Sequence, residues 1–100
     1  MVYQSGALDA TLAAAAGQDA ALFAELRAAF IDSLSRQVDL LRRSRCDANW
    51  QVAAMRLRGL AASFHAEPLI VLADEALDGA PGDPSVVRRM QGFLDEFAAV

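Results

Sequence analysis

The stretch from Trp50 to Leu69, W-Q-V-A-A-M-R-L-R-G-L-A-A-S-F-H-A-E-P-L, leaves this chain few ways to fold. Its apolar residues Trp50, Ala54, Leu57, Ala61 and Phe64 recur at intervals of four, three, four and three. At 100° per residue they fall within about 80° of one another on a helix, which makes a core stripe. Trp50 is expected to fill the core. Gln51, Met55, Arg58, Gly59 and Ala62 lie roughly 80° to 180° from the middle of the stripe and are expected to face outward. That outer face carries a cost. A glycine in a helix interior is less stable than alanine by about 0.5 to 1 kcal/mol, and Gly59 stands one turn from a methionine that the pattern leaves exposed. The pair points to a surface that something approaches closely.

The same helical period runs through the rest of the chain. Residues 1–6 read as a frayed start, followed by a short helix from about Ala7 to Ala16 that Gly17 ends in left-handed geometry. Asp19 is placed to cap a helix from Ala20 to about Arg43, on which Leu22, Leu26, Phe30, Leu34, Val38 and Leu41 repeat at four, four, four, four and three. Arg42, Arg43 and Arg45 crowd its C-terminal end, where cations complement the helix dipole; a phosphate-binding patch is the competing reading. Asp47 is the expected cap of the central helix, which should reach about Ala66 before Pro68 forces a break. Leu69, Leu72, Ala73, Ala76 and Leu77 form the inner face of a further helix, and residues 78–83, D-G-A-P-G-D, a loop. Asp83 and Pro84 then start a last helix, with Val86, Val87, Met90, Phe93, Leu94 and Phe97 turned inward. No segment alternates with period two. The expected fold is all-α, an antiparallel four-helix bundle with a short extra N-terminal helix covering one end, forming one domain over residues 1–100.

Length and charge narrow the function. One hundred residues support a single modest core, and the alanine-rich, 55% hydrophobic composition favours closely packed helices. A net charge of −4 argues against nucleic acid as a general partner. The charge is unevenly spread, with −3 over residues 1–35, +4 over 36–58 and −5 over 59–100, so the positive segment leads directly into the central helix. All nine basic residues are arginine, a side chain suited to planar, bidentate contacts with carboxylate or phosphate. The single cysteine, Cys46, has no disulfide partner and no companions at metal-ligand spacing, so no metal or cofactor is expected. No basic residue precedes Arg27, and Asp9 and Thr11 interrupt the apolar run from Ala7 to Ala16. Neither a signal peptide nor a membrane span is expected, and the chain reads as a cytoplasmic, monomeric protein.

The central stretch resembles the phosphorylation-site helix of histidine-containing phosphotransfer (HPt) domains, whose pattern is A-H-x-L-K-G, small residues, an apolar residue, G-A, and a leucine three further on. Here Ala54, Met55, Arg56, Leu57, Arg58 and Gly59 are followed by Leu60 to Ser63, Phe64, His65, Ala66 and Leu69, in register without a gap. The likeness extends to the G-x-D start of the second helix, Gly17 to Asp19. It also takes in the L-x-x-x-F-I-x-x-x-x-x-Q-V-x-x-L run from Leu26 to Leu41, although any amphipathic helix resembles those outer parts. Two positions depart from the pattern: Met55 stands where the phosphorylated histidine would be, and His65 where a glycine usually ends the helix. The resemblance implies the four-helix architecture and a place in two-component phosphorelay signalling. It implies as partner the receiver domain of a response regulator or hybrid kinase.

In that family an exposed imidazole takes a phosphoryl group from a receiver aspartate, a basic residue three positions on steadies its charge, and the following glycine lets the receiver's rim approach. Arg58 and Gly59 match these two supporting parts. Met55 removes the nucleophile, because a thioether has no proton to lose and forms no stable phosphoryl adduct. No catalytic residue is therefore expected and the chain is read as a non-enzyme. His65 lies ten residues on, about 15 Å along the helix axis and about 80° round it, and is read as a helix-ending residue in left-handed geometry. Met55 has competing readings as an idle surface methionine, a core residue or a histidine replaced. Its wheel position and the adaptability of methionine favour a contact residue. The expected partner-binding set is Gln51, Met55, Arg56, Arg58, Gly59 and Ala62, serving a module that binds receiver domains or their kinases without carrying phosphate. An active phosphotransfer protein using another residue and a structural bundle that dimerises through the Met55 face are the alternatives.

Overall fold

The computed structural model describes residues 6–99; of the start expected at residues 1–6, residues 1–5 lie outside them, and Gly6 is already the first residue of a helix. Among the described residues there are five helices and no strand: α1 (Gly6–Ala16), α2 (Ala20–Arg43), α3 (Asp47–Ser63), α4 (Glu67–Asp78) and α5 (Pro84–Ala99). The described part of the chain is all-α, in keeping with the helical period of the sequence.

The punctuation between helices follows local chemistry. Gly17 ends α1 with φ 66°, a left-handed conformation that costs glycine nothing. Asp19 caps α2, its Oδ1 accepting from the Ala21 and Leu22 amides at 2.9 and 3.1 Å. At α3 the expected cap is corrected by one residue. Cys46 has extended geometry and no side-chain capping bond, and its carbonyl accepts from the Trp50 amide at 3.1 Å. Asp47 is thus already helical, where its charge favours the positive end of the helix dipole without capping it. The end of α3 also falls earlier than Ala66, at Ser63. His65 has φ 57°. Its amide donates to the Ala62 carbonyl at 3.2 Å and the Ala66 amide to the Ala61 carbonyl at 2.9 Å, the paired bonds of a Schellman turn with histidine in the glycine place. Pro68 stands within the first turn of α4. At α5 the Asp83 Oδ1 accepts from the Ser85 amide at 2.9 Å, which holds its carboxyl below the ordinary value of 3.8.

Helix α2 packs on α3 and α5, and α4 on α3 and α5; neither α2 with α4 nor α3 with α5 makes a packed pair among the described residues, and α1 packs on α2 alone. Ends meet starts. Trp50, at the start of α3, donates its indole Nε1–H to the Ala76 carbonyl near the end of α4 at 2.8 Å. Arg42, at the end of α2, donates to Gln91 Oε1 of α5 at 2.8 Å. At the other end Arg27 donates to the Phe97 carbonyl and stands 4.3 Å over the Phe97 ring. Phe30 meets Phe64 at 4.5 Å and Phe97 at 6.2 Å between ring centroids.

All six inward positions expected on α5 are buried, as are Leu69, Leu72, Ala73 and Ala76 of α4, while Leu77 is half-buried. On α2 the core face runs from Phe30 to Leu41, and Leu22 is 38% exposed. A strict spacing of four advances about 40° per step relative to the helix, so Leu22 has turned roughly 120° from Leu34. The expected stripe leaves the core by its own drift.

Candidate functional site

The inner side of α3 buries Trp50, Ala53, Ala54, Leu57 and Ala61, with Phe64 half-buried just beyond its end. This fixes the rotation of the helix and turns the opposite side outward. Gln51, Met55, Arg56, Arg58, Gly59 and Ala62 are all exposed, and Met55 reaches 62%. Four of the other five lie within about 60° of Met55, whereas Arg56 stands about 100° round, toward α2.

The two flanks of this face differ. On the α4 side Arg58 Nε pairs with Asp74 Oδ1 at 2.6 Å, both side chains about half exposed (48% and 45%). Arg58 is thus committed within the chain as well as outward-facing. Opposite it, Arg56 makes no ion pair with the described residues. It lines a groove of about 460 Å³ between the end of α2 and the start of α3, beside Arg43, Leu40 and Val52. In the middle, Gly59 leaves the surface low: a Cβ built on it meets nothing within 4 Å. The Ser63 hydroxyl donates back to the Gly59 carbonyl at 2.9 Å, which keeps this polar side chain on the helix backbone.

Three residues of this surface were not among those read from the sequence. Leu40 and Val52 are 42% and 46% exposed, and Asp74 holds Arg58. A signal existed for the first two, since Val52 is only about 60° from Met55 on the helical wheel and Leu40 lies off the α2 stripe. For Asp74 there was none, because its pairing depends on how α3 and α4 pack.

Chemically, the face is an apolar ridge with cationic edges. Its side chains include no imidazole, thiol or hydroxyl in place of Met55, and the thioether is not a phosphoryl acceptor. His65 is exposed but stands past the end of α3, in the turn to α4. Among the described residues no three His, Cys, Asp or Glu side chains gather into a metal-binding group, and no helix is long and apolar enough to cross a membrane. Comparison with family models, with curated proteins and with solved structures finds no match to this chain.

Proposed function

We propose that α2 to α5 form an antiparallel four-helix bundle of the HPt type with α1 as an added N-terminal helix. We propose further that the chain acts in a phosphorelay as a non-catalytic partner of receiver domains or of the kinases that feed them. The architecture is supported by the ring of neighbours without diagonal pairs, by the Trp50–Ala76 bond that joins the start of α3 to the end of α4, and by Arg42–Gln91 and Arg27–Phe97, in which α5 residues of rising number meet α2 residues of falling number. The binding role rests on one observation: Gly59 is exposed within α3, with open space above it, one turn from an exposed Met55. A helix keeps such a glycine against a propensity cost of about 0.5 to 1 kcal/mol, and close approach of a partner is a use for it.

Calorimetric titration of wild type and variants against a panel of receiver domains tests the reading. Burial of a methionine side chain is worth about 1.5 to 3 kcal/mol, so Met55→Asp should weaken binding at least about tenfold. Gly59→Leu should do the same while leaving the helix content unchanged. Incubation with a phosphorylated receiver and Mg²⁺ should leave the chain unlabelled; stoichiometric phosphohistidine at His65 favours the active-phosphotransfer alternative. Equal binding by wild type, Gly59→Leu and Met55→Asp refutes the proposed face. The exposed apolar run of Leu40, Val52 and Met55 also suits self-association, and sedimentation at several concentrations separates that reading from the first.

A further inference from the structure

Five large apolar side chains are exposed among the described residues, and three of them adjoin. Leu40 and Val52 line the groove between α2 and α3. Met55 follows Val52 by three residues and so stands beside it along the helix. Ala53 completes the apolar lining, Ser44 and Asn49 are its neutral polar members, and Arg43 and Arg56 its cations; no carboxylate lines the groove. Arg43 is held by Asp39 at 2.9 Å, whereas Arg56 is unpaired among the described residues and open to an incoming anion. The groove also falls within residues 36–58, which carry +4 between flanks of −3 and −5.

This pattern selects its occupant. An apolar floor with cationic edges is complementary to an apolar stripe edged by carboxylates. Two helices side by side offer a trough into which a third helix packs at roughly 8 to 10 Å between axes. The described residues contain no strand, and hence no sheet edge to which an extended peptide could add. A long polyanion such as nucleic acid would run from the groove onto the negative remainder of the chain and be repelled there, while a short acidic segment meets only the groove. We propose that the α2/α3 groove docks an acidic amphipathic helix of a partner protein, its apolar side chains on Leu40, Val52 and Ala53 and its carboxylates on Arg56 and Arg43. This goes beyond the receiver reading, with which it shares Arg56 and a border at Met55, and does not depend on it.

The test uses a fluorescent synthetic helix of about four turns with leucines on one face and glutamates on both edges, and a counterpart with lysine for every glutamate. By anisotropy, the acidic helix should bind at least tenfold more tightly than the lysine one. Val52→Asp and Leu40→Asp should each weaken it at least tenfold with circular dichroism unchanged. Arg56→Glu, a fully surface substitution, should weaken it by a factor that shrinks as salt rises. Ala62→Leu, in the receiver-facing set but ten residues beyond Val52 and about 120° round α3 from Arg56, should leave peptide binding as in wild type even if it abolishes receiver binding, so failure of one reading is distinguishable from failure of the other. Equal binding of the two peptides, or wild-type affinity in both Val52→Asp and Arg56→Glu, overturns the proposal. So does a wild-type dimer in sedimentation that Val52→Asp dissociates, since the groove would then hold a second copy of this chain.

Discussion

Replacing His65 by glycine should stabilise the protein although it removes a side chain. His65 has φ 57°, where an L-residue loses roughly 1 to 2 kcal/mol from the approach of its Cβ to the carbonyl. Glycine escapes that loss but gives the unfolded chain more freedom, which takes back about 0.4 to 1 kcal/mol. The imidazole is exposed and donates or accepts no hydrogen bond among the described residues, so its removal forfeits little else. The net expectation is a gain between about 0 and 1.5 kcal/mol, which for a domain of this size raises the melting temperature by up to about 10 °C. Valine at the same position should act oppositely, because a β-branched side chain is a poorer fit to left-handed backbone. Urea denaturation of wild type, His65→Gly and His65→Val, with unchanged slopes, measures both differences. A less stable glycine variant, or a valine variant equal to wild type, refutes the strained-turn account.

Trp50→Phe should cost about 1 to 3 kcal/mol, read in the same urea series, because the Ala76 carbonyl near the end of α4 then loses its buried donor. Carboxyl titration by NMR should find Asp83 with its midpoint below 3.8, as the Ser85 amide bond favours the charged form. Since the folded-state value is depressed, its contribution to stability is complete above the ordinary value and disappears as pH falls through the lowered one, a dependence that Asp83→Ala should abolish. Breaking the Arg58–Asp74 pair should cost no more than about 1 kcal/mol at its half-exposed site. The swapped pair Arg58→Asp with Asp74→Arg should restore that stability without restoring receiver affinity if the cation's position on α3 is what a partner reads.

The helices were legible in the sequence because their signals are local. Gly17, Asp19, Pro84 and His65 each act through backbone geometry within a few residues, and each takes its expected role in the structure. The inward residues of α5 and the outward set of α3 follow from period alone. Less legible was the start of α3, where an acidic residue after Cys46 offered a plausible cap but the chain enters the helix one residue earlier. Contacts between helices were not legible at all. Trp50 was expected in the core, yet its bond to Ala76 and the Arg58–Asp74 pair require the packing of α3 on α4. The groove of Leu40, Val52 and Arg56 likewise exists only once α2 lies beside α3.

The separation between the two sides of α3 determines how the binding variants are to be read. Its inner side is built from Trp50, Ala53, Ala54, Leu57 and Ala61, all buried, and three of these are alanines, while α4, which packs on α3, itself buries Ala73 and Ala76. Small residues let the two backbones approach, so the core is sensitive to added volume there and indifferent to what lies on the far side. Met55, Gly59, Val52 and Arg56 contribute nothing to that packing. Substitutions among them should therefore leave core stability near wild type and add independently to core changes, apart from the helix-propensity gain expected at Gly59. Arg58 is the exception, being tied to Asp74. A loss of affinity in Met55→Asp or Val52→Asp can thus be assigned to the surface itself, whereas one in Arg58→Glu has to be separated from the released Asp74 carboxylate before it says anything about a partner.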